Sequence, residues 1–151
     1  MSHRSGAAPR KLRVSSDVSD LSAVRGFVRE AVAAFGGSAR VAEDLVQAVD
    51  EACCNVMLHG YGGAPGEIEI EAARRGRQIE IRLLDRSAMF DPTASPVADT
   101  TRPPVSQRPG GMGLGIHLIR TMTDEVRHHV RPDGGNELTL VRSIDNPAKE
   151  D

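Results

Sequence analysis

The sequence predicts an α+β domain with helices over one face of an antiparallel sheet, and three observations carry that expectation. Apolar residues recur at helical spacing in two N-terminal stretches, Val18 to Phe35 and Ser38 to about His59. Apolar and charged residues alternate with period two in Glu67 to Ala73 and Gln78 to Leu84, joined by a short turn at Arg75-Gly76. A second alternating pair, Glu125 to Val130 and Glu137 to Ile144, flanks the turn Asp133-Gly134-Gly135. Isoleucines and leucines on one strand face with charges on the other mark a sheet that is covered on one side and wet on the other.

Taken in order, residues 1–9 are small and polar and read as a disordered tail. Lys11 to Val14 alternates as a short strand, and Ser15, Ser16 and Asp17 follow as turn or cap residues. In the first helix Leu21, Val24, Phe27, Val28, Ala31, Val32 and Phe35 form the apolar stripe, which Gly36-Gly37 ends. Ser38 caps the second helix. There Val41, Leu45, Val49, Ala52, Val56 and Met57 face the core, while Asp44, Gln47, Glu51, Asn55 and His59 form a polar stripe that also fits a solvated face. Gly60 to Gly66 is a loop. After the first hairpin, residues 86–110 hold five prolines and little periodicity, the pattern of a lid. A third helix is expected from about Leu114 to Met122, then the second hairpin. The whole reads as one domain over residues 10–145, with a polar tail at 146–151.

A formal charge of -2 argues against a general polyanion binder, so direct nucleic-acid binding is not expected. No apolar run reaches the roughly 18–20 residues of a membrane span, and no secretory signal follows the N-terminal basic residues. Cys53 and Cys54 are adjacent and point about 100° apart on a helix, which argues against a disulfide between them. A cytoplasmic location fits these features.

Two separated motifs carry the chemistry. Glu51 and Asn55 lie four residues apart, so they share one helix face. Glu51 is a candidate general base, and the amide oxygen of Asn55 suits a hard cation such as Mg²⁺. Gly110-Gly111-Met112-Gly113-Leu114-Gly115 stands where a helix begins, and such an N-terminus attracts anions through its free N–H groups. Together they suggest a nucleotide site, although the phosphate-loop and dinucleotide fingerprints both fail here. Asp85 ends a strand. It reads either as a strand-end cap or as an acceptor for an exocyclic amine such as adenine presents. His59, His117, His128 and His129 lack metal-ligand spacing and read as surface or hydrogen-bonded histidines.

These boxes resemble, in order and spacing, those of the GHKL ATPase superfamily: Glu51-x-x-x-Asn55, Asp85-x-x-x-x-Phe90-Asp91-Pro92, Gly111-x-Gly113-x-Gly115 and Gly134-Gly135-Asn136. The likeness is nearest to the anti-sigma-factor serine kinases, which the stretches Asn55 to Tyr61 and Met122 to Val126 also resemble, and it covers about Leu12 to Ile144. The resemblance implies a two-layer α/β sandwich with a mixed, mostly antiparallel sheet. It implies ATP and Mg²⁺ as cofactors. Glu51 would be the catalytic base, Asn55 the Mg²⁺ ligand, and Asp85 the adenine reader. Gly111, Gly113 and Gly115 would face the phosphates, with Phe90, Met112, Leu114 and Asn136 as further nucleotide contacts. As partners it implies an RNA polymerase sigma factor, a STAS-type anti-anti-sigma protein as the phosphorylated substrate, and a second copy in a homodimer.

Two positions depart from the family pattern. Ser87 replaces the glycine usual two residues after the adenine aspartate, which would narrow the base pocket or change the turn. Asn136 replaces a threonine. The leading expectation is an ATP-dependent protein serine/threonine kinase and anti-sigma factor. The alternative, favoured by Ser87, is a nucleotide-binding module that sequesters a partner with little or no kinase activity. A detached histidine-kinase-like ATPase domain is a third and weaker expectation, because no histidine-bearing helical hairpin is read ahead of the domain.

Overall fold

A computed structural model describes residues 8–88 and 112–144. Five strands, β1 (Arg10–Ser15), β2 (Glu67–Arg75), β3 (Gln78–Asp85), β4 (Glu125–Val130) and β5 (Asn136–Ser143), form one sheet in the order β1-β2-β3-β5-β4. Every neighbouring pair is antiparallel. Three helices, α1 (Leu21–Ala34), α2 (Ala39–Asn55) and α3 (Met112–Met122), complete an α+β fold. The anticipated tails at 1–9 and 146–151 and the lid at 86–110 fall largely outside the described residues.

The alternation in β2 and β3 becomes the two faces of the sheet. Ile68, Ile70, Ile79, Ile81 and Leu83 are fully buried against α1 and α2 residues such as Val24, Val28, Leu45 and Val49. The opposite face is a lattice of charges, with Lys11 near Glu69 and Glu71, and Arg82 between Glu71 and Glu137. Such partly exposed pairs add little stability each, but they keep this face wet.

Helix boundaries differ from the sequence expectation at three places, each for a local reason. The first helix starts at Leu21 and not Val18, because Val18–Asp20 is a 3-10 turn. Asp17 accepts a hydrogen bond from Ser19 N, and Asp20 Oδ2 reaches back to Ser15 N and Oγ at 3.1 and 2.6 Å. At the start of α2 the cap is as expected, with Val41 N donating to Ser38 Oγ at 3.2 Å. Its far end widens at Val56–Gly60 into a π-helical turn closed by Tyr61 N to Val56 O at 2.7 Å. The third helix begins at Met112, earlier than expected, so Gly113 and Gly115 lie inside its first turn and not ahead of it. The N–H groups of that turn have no intrahelical acceptor, so the helix end keeps donors for an anion.

The polar stripe of α2 is not a solvated face throughout. Asp44 and Asn55 are both buried, and Asp44 is held by Arg142 of β5.

Candidate functional site

The end of α2, the end of β3 and the start of β5 meet at one place. A cavity there is lined by Ala52, Asn55 and Val56 from α2 and its π turn, by Asp85 of β3, by His128 of β4, and by Asn136 and Leu138 of β5. Strand register sets this meeting, because Asp85 pairs with Asn136, and Asn136 in turn with Val130. The turn before β5 must pass close to β3. Gly135 has φ +92°, and a Cβ on it would run into the carbonyl oxygen of Asp85.

Asp85 is only 3% exposed, and its hydrogen bonds are lopsided. Oδ1 accepts from Ser87 N at 2.8 Å, Ser87 Oγ at 2.6 Å and Asn136 Nδ2 at 3.1 Å. Oδ2 accepts from no described residue. Asn136 donates through its nitrogen, so its Oδ1 receives the 2.9 Å bond from His128, whose Nε2 therefore carries the hydrogen.

Asn55 is 6% exposed, and its Nδ2 has no hydrogen-bond partner among the described residues. A buried amide left unpaired costs about 1–3 kcal/mol, so this atom marks a place for a bound group. One turn earlier, Glu51 is half-buried. Its carboxyl is raised above the ordinary glutamate value, first by desolvation and then by the charge of Asp50. Asp50 is itself bound by Arg25 Nε at 2.9 Å. The neighbouring Cys53 thiol is buried and pushed far up, so it stays neutral, and Cys54 is raised as well.

Of the sequence-predicted residues, the structure thus gathers Asn55, Asp85 and Asn136 around one cavity, with Glu51 on the adjoining turn of α2. Met112, Gly113, Leu114 and Gly115 open α3, which packs against α2. Phe90 and Gly111 lie outside the described residues. Ser87 does not line the cavity; its side chain turns onto Asp85. Among the described residues no group of three or more His, Cys, Asp or Glu could hold a metal ion. The residue missed from sequence is His128. The signal was its place beside Val126 and Val130 on the inward side of an edge strand.

A one-sheet α+β domain with such a strand-end aspartate, a helix-borne Glu51-x-x-x-Asn55 pair and a glycine-bearing helix start defines an ATPase domain of the GHKL type. The family model described as the histidine kinase-like ATPase domain matches residues 14–142, and the chain belongs to that family. It is similar to the serine/threonine-protein kinase BtrW of Bordetella bronchiseptica, 30% identical over 107 residues, covering 69% of this chain and 72% of that protein. It is also similar to the serine-protein kinase RsbW of Bacillus cereus, 32% identical over 106 residues, covering 68% of this chain and 64% of that protein. The alignment thus spans under two thirds of the RsbW relative's own length. Among solved structures, the RsbU and RsbW domains of a Mycobacterium tuberculosis protein superpose with a TM-score of 0.65 at 22% identity. That match covers 94% of this chain and 34% of that one, and it bears on the fold alone.

Proposed function

We propose that this chain is an ATP-dependent protein serine/threonine kinase and anti-sigma factor that phosphorylates an anti-anti-sigma partner of the STAS type. The observation that carries the reading is the convergence of Asp85, Asn136 and the unpaired amide of Asn55 on one cavity, one helical turn from Glu51. The similarity to proteins named as serine kinases supports the same class.

The residues present fit a nucleotide that carries its own cation. No protein cage for a resident metal exists among the described residues, whereas Mg²⁺ bound through phosphates needs only one or two protein oxygens. Asn55 would hold it through its amide oxygen, while its unpaired Nδ2 is a donor and can serve only an acceptor such as a phosphate oxygen. When bound, Mg²⁺ supplies positive charge to the phosphate oxygens and steadies charge developing there. Asp85 would accept a hydrogen bond from the adenine amine, and the first-turn amides of α3 would hold phosphate oxygens. Glu51 would take the proton of the attacking serine or threonine hydroxyl. A carboxyl already raised by partial burial suits a group that must accept a proton near neutral pH. Partner sigma factor, homodimer and cytoplasmic location belong to the same proposal; no helix of the described residues is long and apolar enough to cross a membrane.

Incubation with labelled ATP, Mg²⁺ and candidate anti-anti-sigma proteins tests the reading, with Glu51→Ala as control. Transfer that Glu51→Ala abolishes supports it. ATP binding with no transfer to any partner favours the rival reading, a sequestering module.

A further inference from the structure

Ser87 is where this chain departs most from the pattern its motifs resemble, and the structure gives that departure a definite geometry. Among the described residues no side-chain-bearing residue has positive φ, so the backbone at position 87 does not require glycine. The side chain has been made room for elsewhere. Gly60 of the π turn lies so close that a Cβ on it would overlap Ser87 Oγ and come within 2.9 Å of Ser87 Cβ, while the next nearest atom, Val56 Cγ1, would be at 3.7 Å. A side chain at one position is matched by the lack of one at the other.

We infer that Ser87 is a positioning residue for base recognition, which with Asn136 holds one oxygen of Asp85 and so leaves the other open to accept from the amino group of a 6-aminopurine. This rests on the nucleotide reading above. A carboxylate's two oxygens are equivalent acceptors, and turning about the Cβ–Cγ bond changes where they point. Three donors on Oδ1, from Ser87 N, Ser87 Oγ and Asn136 Nδ2, remove that freedom. Asn136 Nδ2 also lies 3.2 Å from Ser87 Oγ, and His128 fixes the opposite end of the same amide. An oxygen that can only accept pairs with an N–H and is repelled by a carbonyl oxygen. The site therefore selects an amino base over its 6-oxo counterpart, and Ser87 contributes to that choice without touching the base.

Calorimetry on the full chain with Mg²⁺ and either ATP or inosine triphosphate tests this, using wild type, Ser87→Ala, Gly60→Ala and the double variant Gly60→Ala/Ser87→Gly. We expect wild type to prefer ATP. Ser87→Ala should weaken ATP about tenfold, the scale of one lost bond to a charged group, while inosine triphosphate binding is unchanged. Gly60→Ala, which drives the hydroxyl off Asp85, should narrow the preference in the same way and lower the melting temperature. Adding Ser87→Gly should restore the melting temperature, since the clashing atoms are gone. Full discrimination in Ser87→Ala, or equal weakening of both nucleotides, overturns the inference while leaving the nucleotide site standing. A wild-type chain that binds both nucleotides equally, or neither, overturns base reading by Asp85 itself and this inference with it.

Discussion

Arg142 Nη2 donates a 2.6 Å hydrogen bond to Asp44 Oδ2, tying β5 to α2 across 98 residues of sequence. The Arg142 side chain is fully buried and that of Asp44 is 11% exposed. Removing Asp44 takes a carboxylate from the buried guanidinium, which keeps its bond to Ser143 O. We expect Asp44→Ala to destabilise the fold by about 3 kcal/mol, the scale for breaking a buried ion pair. Urea denaturation would register it as a lower midpoint with an unchanged slope. Because Asp44 lies three turns of α2 before Asn55, nucleotide affinity measured well below the melting point should hardly change. A Asp44→Ala protein as stable as wild type would show that the pair contributes nothing net.

Gly135 gives a second stability test that, unlike the first, reaches the site. Its φ of +92° is costly for any residue with a Cβ, and that Cβ would strike the carbonyl oxygen of Asp85. We expect Gly135→Ala to cost about 2 kcal/mol or more and to weaken ATP binding, since Asp85 and Arg86 must shift to admit the methyl. Thermal melting and calorimetry on the same variant check both halves. Gly134 has a similar φ of +94° but open space around it, so Gly134→Ala should carry the backbone strain without displacing Asp85. If both variants lose ATP equally, contact with Asp85 is not the cause.

The outcome at Asp44 shows what was legible in the sequence and what was not. Alternation in β2 and β3 and the Ser38 cap are local signals, and they became the covered sheet and the α2 start. Asp44 read as one charge in a solvated stripe, because its partner lies in another hairpin. The available sign was Arg142, which follows Leu138 and Leu140 at period two and so occupies the inward side of β5. Likewise the 3-10 start before α1 is accompanied by Asp20 reaching Ser15, and in the π turn Gly60 lies too close to Ser87 for a side chain. The first is a local side-chain contact and the second a tertiary one, and helical periodicity encodes neither. At the site, Asn55, Asp85 and Asn136 were readable as residue types at a spacing, whereas the division of Asp85 into a loaded and an open oxygen was not.

The raised carboxyl of Glu51 has a pH signature. A base acts in its ionised form, so transfer should fall as pH drops through a value above that of an exposed glutamate. Asp50→Asn removes the second cause of the shift and should move this acid limb to lower pH, although Arg25 loses its partner in the exchange. Stability has the opposite sense. Between the unfolded and the raised native values the folded chain binds the proton more readily, so stability declines as pH rises through that window. Glu51→Gln should flatten that part of the profile. Rate against pH, and urea midpoint against pH, provide the two readouts. An acid limb unmoved in Asp50→Asn would sink the electrostatic account.

Asn55 and Asp85 should fail in contrasting ways, because one has an amide nitrogen without a partner and the other is heavily bonded. Asn55 Nδ2 is buried and unpaired, so Asn55→Ala removes a group that costs the empty fold something, partly offsetting the small cavity it leaves. We expect its stability to lie within about 1 kcal/mol of wild type. Its Mg²⁺-dependent ATP binding should be lost, while magnesium-free ADP is little affected, since the amide oxygen acts through the cation. Asp85→Asn replaces one carboxylate oxygen by an amine. Whichever way the new amide turns, either the donors on Oδ1 or the acceptor facing the base is compromised. Its ATP binding should therefore drop about tenfold or more, with or without Mg²⁺. Calorimetry of both variants against ATP with Mg²⁺ and ADP without it separates the roles. If Asn55→Ala weakens magnesium-free ADP more than Asp85→Asn weakens ATP, the two assignments are reversed, and the unpaired amide is reading the base.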